Sequence, residues 1–331
     1  MQPLKIGFVM DPLETINPNK DATMALMLEA QFRGWELFYF TLNTIEIKDD
    51  SAYGLFKSIE VNTDSTSWYK VKQEYYDTLQ KLDIILMRKD PPFNTEYIIS
   101  TYILEKAEKE GVLVLNKPSA LRNANEKIYA SNFTECSPPT IITRSKASIL
   151  TFLKKHTKII LKPVDKMGGK SIFVVNQNDP NTYVIIEEIT KNETEFVVAQ
   201  VYISDIKISG DKRILLINGE PIKHGISRFP QGYDHRGNMA VGATVQGFKL
   251  TERDLWICAQ IKDELISQGL FFVGLDVIGD YMTEINVTSP TGVNEISKSC
   301  GENIAKLILD SLQTLYELHL TKRSSNRNED S

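Results

Sequence analysis

Two fold types in series are what this sequence predicts: an α/β half built on a parallel sheet, then an α+β half of antiparallel strands flanked by helices. Short apolar runs alternate with amphipathic stretches as far as Leu115, the rhythm of βαβ units. After Pro138-Pro139 the runs are joined instead by tight, glycine-containing turns. No internal repeat is visible. The elements follow in order.

Leu4 to Met10 reads as a short buried strand that stops at Asp11-Pro12. A helix with Met24, Met27, Leu28 and Phe32 on one stripe ends at Gly34, where a left-handed cap suits glycine. Trp35–Phe40 is strand-like, 43–74 has no clear period, and Leu82–Met87 is a third strand entering Arg88-Lys89-Asp90-Pro91-Pro92-Phe93. Thr95–Lys109 is a helix closed by Gly111, and Val112–Leu115 a fourth strand. Open parallel sheets gather ligands at the carboxyl ends of their strands. Asp11 and Arg88 both stand there, although a charged residue past a strand is more often just solvated.

In the second half, a helix near 125–132 precedes the proline break, and Ala147–Lys155 is another. Ile159–Pro163 and Ser171–Val175 form a hairpin around Gly168-Gly169. Phe196–Ile203, Arg213–Ile217 and Ile222–Ser227 are strands, the last two joined through Asn218-Gly219, a strong hairpin signal. Thr251 caps a helix to Gln268, with Asp254 in place for a capping box. Phe272–Val277 and Met282–Val287 pair around Gly279-Asp280, and a last helix runs from Ile304 to about Leu318. The polar residues 321–331 are expected to be a disordered tail.

At 331 residues, the chain has room for two or three units of roughly 100–200 residues each. A hydrophobic share of 42% and a net charge of −5 describe an ordinary globular chain without the basic excess of a nucleic-acid surface. No apolar run approaches the ~20 residues of a membrane span, and Asp11 interrupts the apolar start that a signal peptide would need. Cys136, Cys258 and Cys300 are too far apart for a disulfide framework or a metal spacing. A cytoplasmic protein with no membrane or nucleic-acid partner is expected.

The chemistry concentrates in a few places. In Met282–Pro290, Glu284 and Asn286 lie two apart, so on a strand they point the same way. With Asp276 on the preceding strand they make a hard-oxygen set suited to Mg²⁺, which fills its remaining positions with water and phosphates. Taken alone, the run reads equally as the wet face of a half-buried strand. A register condition follows. A two-residue turn at Gly279-Asp280 would pair 276 with 283 and put Asp276 on the opposite face. One shared metal face needs an odd connection, for instance a bulge at Gly279 or Asp280.

Lys162 through Ser171 is the second such place: Lys162 offers a fixed charge, and Met167-Gly168-Gly169-Lys170-Ser171 a loop whose N–H groups can approach an anion. It joins strand to strand, so it is no Walker loop, and singly it reads as a plain turn. Gly210 through Arg213, and Ser227-Arg228, place arginines on strands, where the planar guanidinium suits carboxylate and phosphate. The segment 230–247 holds Gly232, Gly237, Gly242 and Gly247 with Arg236, a composition for a closing lid or for a plain surface loop.

Lysine strand, glycine loop, strand-borne arginines, loop and metal face follow one another in an order that resembles the ATP-grasp fold. Val9–Pro12, Leu86–Phe93, Asn116-Lys117-Pro118, Asn125-Glu126-Lys127, Ile160–Pro163, Gly274-Leu275-Asp276 and Thr283–Thr291 resemble, over nearly the whole chain, prokaryotic-type glutathione synthetases. The resemblance implies a pre-ATP-grasp domain at 1–122, a two-subdomain ATP-grasp domain at 123–320 with its lid at 230–247, and a homotetramer. It also implies ATP-dependent ligation of γ-glutamylcysteine with glycine through an acyl phosphate. By the same likeness Lys127, Lys162 and the 166–171 loop contact the ATP phosphates. Gln200-Val201-Tyr202-Ile203 reads adenine, and Asp211 lies on the ribose side. Asp276, Glu284 and Asn286 hold two Mg²⁺ or Mn²⁺ ions. Arg213, Arg228 and Arg236 serve the reacting groups, while Asp11, Arg88, Asn286, Thr288, Ser289, Pro290 and Thr291 bind the peptide.

The chain departs from that pattern at Ala243-Thr244-Val245-Gln246, where a glycine and an arginine are expected. It departs again at Gly292-Val293-Asn294, where a bulkier residue and a basic one are usual. An ATP-grasp ligase for other acids and amines remains an alternative, against which the 86–93 run argues. A non-catalytic ATP-binding relative of the synapsin kind is another, against which the complete lysine and metal set argues.

Overall fold

The computed structural model describes residues 3–64, 66–231 and 243–329. Strands Glu36–Phe40, Lys5–Val9, Ile84–Met87 and Leu113–Leu115 lie side by side in that order, all parallel. Period-two alternation splits their side chains between two cores. Ile6, Phe8, Leu37, Tyr39, Ile84 and Leu86 join the core shared with helices Ala22–Phe32 and Ile304–Glu329. Val9, Phe38, Phe40, Ile85 and Met87 join that of helix Thr95–Lys109. Each such side chain contributes roughly 1.5–3 kcal/mol on burial, so a parallel sheet covered on both faces is the stable outcome. Asp21 caps the first helix by accepting from the Thr23 and Met24 amides. Phe32, assigned to the buried stripe, is instead 86% exposed at the helix end.

The 43–74 stretch, without period in the sequence, belongs to an antiparallel arm of strands Ile45–Lys48, Ser51–Val61 and Tyr69–Thr78 on the Glu36–Phe40 edge. Ser51–Val61 buries alternate residues, but Tyr69–Thr78 pairs only with Ser51–Val61 and buries none of its residues. No hydrophobic alternation is required of such a strand.

The second half contains two antiparallel sheets. In one, Phe173–Asn176, Lys158–Pro163, Val197–Val201 and Thr140–Thr143 pair in that order, backed by helices Lys146–His156 and Thr182–Ile189. In the other, Thr244–Lys249, His224–Phe229, Asp211–Ile217, Phe272–Ile278 and Tyr281–Asn286 follow one another. Asn218 and Gly219 both take positive φ (50° and 79°), as a type I′ turn requires. The capping box forms as expected, with Thr251 and Asp254 exchanging bonds ahead of helix Glu252–Gln268.

Two devices tie the halves together. Asn116 donates to the Phe272 and Val287 carbonyls (2.9 and 2.7 Å) and accepts from the Phe272 amide (2.8 Å). The last helix also packs on the first sheet, where Tyr316 donates to Asp83 at 2.8 Å. That helix runs to Glu329, so the disordered tail expected from residue 321 is corrected to helix. The Arg323 guanidinium, donating to the Gly111 carbonyl at 2.6 Å, pins this extension, and once a helix is nucleated each added residue gains a bond.

Candidate active site

The register condition at the 272–286 hairpin is met, but not at the turn. Gly279-Asp280 is a two-residue turn, with Ile278 opposite Tyr281 and Val277 opposite Met282. Gly279, at φ 57°, takes the first central position that a II′ turn reserves for glycine. The extra residue comes one step later: the register shifts between Asp276 and Val277, so Asp276 stands opposite Glu284 and Gly274 opposite Asn286. The bulge expected at Gly279 or Asp280 is therefore at Thr283, whose hydroxyl donates to the Asp276 carbonyl (3.3 Å). This bulge re-aims the strand so that all three oxygen-bearing side chains share one face.

That face opens on a cavity of about 640 Å³ between the halves. Its walls include Lys127, Met167 and Gly168, then Arg213, Arg228, Asp276, Glu284 and Asn286, and finally Thr288, Ser289 and Thr291. Ala243 and Val245, at one of the departures from the family pattern, line it as well. Lys20, Asp21, Asp90 and Pro91 close it from the N-terminal half.

Buried charges organise the floor. Arg213 grips Asp276 with both arms of its fork, Nε to Oδ1 at 2.6 Å and Nη2 to Oδ2 at 3.2 Å, while its Nη1 donates to the Thr291 carbonyl at 3.1 Å. Arg228 lies 2.9 Å from the same Asp276 Oδ1 and 2.6 Å from Asp211 Oδ2. Burial pushes the Asp276 carboxyl up, but the Arg213 and Arg228 guanidiniums pull harder and hold it well below the ordinary carboxylate range. Asp211 goes the other way: burial raises it to about 6 despite Arg228. One of its oxygens is buried without a hydrogen-bond partner.

Lys162 is buried, donating to Gln200 Oε1 at 3.1 Å and lying 3.7 Å from Glu284 Oε1. Lys127 donates to the Lys166 carbonyl at 2.6 Å and so holds the glycine loop. There Gly168, Gly169 and Ser171 adopt positive φ, and Lys166 reaches the Ser171 hydroxyl at 3.3 Å. Asn286 donates through Nδ2 to the Gly274 carbonyl (3.1 Å), which leaves Oδ1 as the atom able to ligate. Two carboxylates and an amide oxygen on one strand pair, facing an open cavity, fit a hard divalent cation.

The structure gives several expected ligand residues other partners. Asp211 holds Arg228 rather than presenting a free carboxylate to a ribose. Arg88 is 5% exposed, with Nε bonded to Thr23 at 3.1 Å and Nη2 to the Pro290 carbonyl at 3.0 Å. It props the 289–291 loop from behind instead of lining the cavity, and the Pro290 carbonyl is spent on it. Asp11 is tied to Lys89 (2.9 Å) and to the Asp90 amide (3.0 Å), setting the angle of the 90–91 wall. Val201 ends a strand, and Tyr202 and Ile203 follow it outside the cavity lining, with Lys158 over the Tyr202 ring at 4.0 Å. Arg236 and 232–242 of the lid lie outside the described residues.

Four acids of the lining, Asp21, Asp90, Glu126 and Glu295, are absent from the expected site residues. Glu126 Oε1 accepts from the Val287 amide (3.0 Å), the Thr288 amide (3.1 Å) and the Thr288 hydroxyl (2.7 Å), clamping the strand just past Asn286. It sits beside Lys127 in a segment already singled out. Glu295 lines the cavity from helix Val293–Cys300, whose uncapped start at Gly292 leaves no sequence signal.

Comparison with known proteins agrees with this geometry. The prokaryotic glutathione synthetase N-terminal domain matches residues 4–122, and the prokaryotic glutathione synthetase ATP-grasp domain matches 126–301. The glutathione synthetase of Pseudomonas aeruginosa is 45% identical over 309 residues, covering 93% of this chain and 97% of that enzyme. That of Coxiella burnetii is 45% identical over 313 residues, 95% and 97% respectively. Among solved structures, a D-cycloserine synthetase superposes with a TM-score of 0.65 at 13% identity, covering 95% of this chain and 99% of that one. A D-alanyl-alanine synthetase A from Vibrio cholerae does so at 0.56 and 14%, covering 96% and 99%. Such distant likenesses speak for the fold. The chain is an ATP-grasp protein, and it belongs to the prokaryotic glutathione synthetase family.

Proposed function

We propose that the protein joins γ-glutamylcysteine to glycine with hydrolysis of ATP, giving glutathione, ADP and phosphate. The observation that carries this reading is the bulge at Thr283, which sets Asp276 opposite Glu284 beside Asn286 on a cavity that both arginines also reach. A carboxylate is a poor electrophile. Its oxygen first attacks the γ-phosphorus, ADP leaves, and an acyl phosphate forms; the amine then attacks the carbonyl carbon and phosphate departs. Such transfer needs positioning and charge neutralisation more than a protein nucleophile.

In this reading Lys127, Lys162 and the 166–171 loop hold the phosphates, and the 200–203 strand end receives adenine. Arg213 and Arg228 stabilise the transferred phosphoryl group and the peptide carboxylate, with Arg236 of the lid joining them. Thr288, Ser289 and Thr291 bind the peptide, while Arg88, Asp11 and Pro290 brace that wall. Asp276, Glu284 and Asn286 would hold two Mg²⁺ or Mn²⁺ ions, which when bound neutralise the phosphate oxygens. Residues 1–122 and 123–320 serve as the substrate and ATP-grasp domains of a cytoplasmic homotetramer. No helix among the described residues is long and apolar enough to cross a membrane.

A coupled assay of ADP release with single-substrate omissions tests the reading. Release should require γ-glutamylcysteine and glycine together. Turnover with another peptide or amino acid, and none with these, would sink it.

A further inference from the structure

Six described acids line the cavity: Asp21, Asp90, Glu126, Asp276, Glu284 and Glu295. Five of them have work. Asp21 caps a helix, Glu126 takes three bonds from 287–288, and Asp276 is gripped by two arginines. Asp90 accepts from Ser289, and Glu284 lies 3.7 Å from Lys162. Glu295 is the exception: its Oε2 is buried and accepts no hydrogen bond. An unpaired buried carboxylate oxygen is costly, and in a ligand cavity it marks a place kept for a cation or donor that arrives with the substrate.

We propose that Glu295 receives the ammonium group of the amine substrate. The inference rests on the ligase reading above. That reaction brings triphosphate and carboxylates, which the lysines and arginines meet, and the ammonium groups of the peptide and of the amine substrate, for which none of the other lining acids is free. Position favours the amine over the peptide's own distant ammonium. Glu295 stands in the first turn of helix Val293–Cys300, which Gly292 joins to Thr291, and the Thr291 carbonyl and hydroxyl accept from Arg213 at 3.1 and 3.2 Å. The guanidinium that faces the reacting carboxyl thus also anchors the helix bearing Glu295. A carboxylate there holds the ammonium next to the carbonyl carbon, which the amine attacks once it has passed one proton to that carboxylate, with phosphate as the leaving group.

The test is E295Q, a near-isosteric change that removes the charge. The KM for glycine should rise on the order of ten- to hundredfold, the worth of one charge-assisted hydrogen bond. The KM values for ATP and γ-glutamylcysteine and the melting temperature should stay put. Hydroxylamine carries no ammonium at neutral pH and traps acyl phosphates as hydroxamates. E295Q should therefore form hydroxamate from γ-glutamylcysteine and ATP at the wild-type rate, and E295D should recover part of the glycine affinity. An unchanged KM for glycine, a raised KM for the peptide instead, or hydroxamate lost in step with glycine turnover would each overturn the assignment. If wild-type protein forms no hydroxamate from γ-glutamylcysteine, the ligase reading falls and this proposal with it. If it does, and glycine KM is unmoved in E295Q, only the role of Glu295 falls.

Discussion

Replacing Arg228 by Met separates the two acids that share it. Arg213 still holds Asp276 in a two-bond fork, but Asp211 loses its 2.6 Å partner and stays buried, with its other oxygen already unpaired. Breaking a buried pair from one side costs about 3–5 kcal/mol. The pH dependence is the diagnostic part. Burial already holds Asp211 at about 6, against an ordinary value of 3.8. Without the guanidinium the folded carboxyl rises further.

A raised folded value means that the folded chain keeps a proton which the unfolded chain releases. The associated stability is full below the unfolded value and is lost as pH climbs through the folded one. In the wild type that loss is complete a little above pH 6; in R228M it continues upward. At about 1.4 kcal/mol per pH unit, and with about 0.4 kcal/mol still lost by the wild type above its own folded value, the R228M penalty should grow by up to about 2.3 kcal/mol between pH 6 and pH 8. Urea unfolding of both proteins at those two values, without nucleotide or metal, reads it directly. A penalty that is equal at both, or larger at pH 6, would refute the buried-carboxylate argument.

Other outcomes follow from the same geometry. E284Q should lose Mg²⁺-dependent ADP formation while shifting stability by less than about 1 kcal/mol, since its ion-pair contact with Lys162 is long; wild-type turnover in E284Q would remove Glu284 from the metal set. E126A strands the Val287 and Thr288 amides and should cost about 2–6 kcal/mol in urea unfolding, at roughly 1–3 for each buried donor left unmet. A loss under about 0.5 kcal/mol would show that water replaces the clamp. Maleimide labelling of the native protein should reach Cys300 first, because Cys136 and Cys258 are buried and burial pushes the Cys258 thiol up to about 12. Equal labelling of Cys258 without unfolding would contradict that packing.

Local chemistry made much of the site legible. The Gly168-Gly169 loop, the Asn218-Gly219 hairpin and the Thr251 capping box each follow from residues a few positions apart, and the chain obeys them. Glu284 and Asn286 share a face for the same reason. What the sequence could not show depended on distant partners. The bulge fell at Thr283 rather than at the turn because the whole 272–286 pairing settles it, not Gly279 alone. Asp211 and Arg88 look like free ligands until their partners, Arg228 and the Pro290 carbonyl, are brought in by folding. The 69–78 strand hid because, pairing only along its 51–61 side, it needs no apolar alternation. The helical stretch after residue 321 hid because its support, the Gly111 carbonyl, is more than two hundred residues away in sequence.

Activation of a peptide carboxylate as an acyl phosphate in this cavity would leave an isotopic signature in the phosphate released. Turnover of γ-glutamylcysteine labelled with ¹⁸O in its cysteinyl carboxylate, with glycine and unlabelled ATP, tests it most directly. One labelled oxygen should appear in each phosphate released. Phosphate free of label, with both labelled oxygens still in unconverted peptide or lost to water, would contradict it.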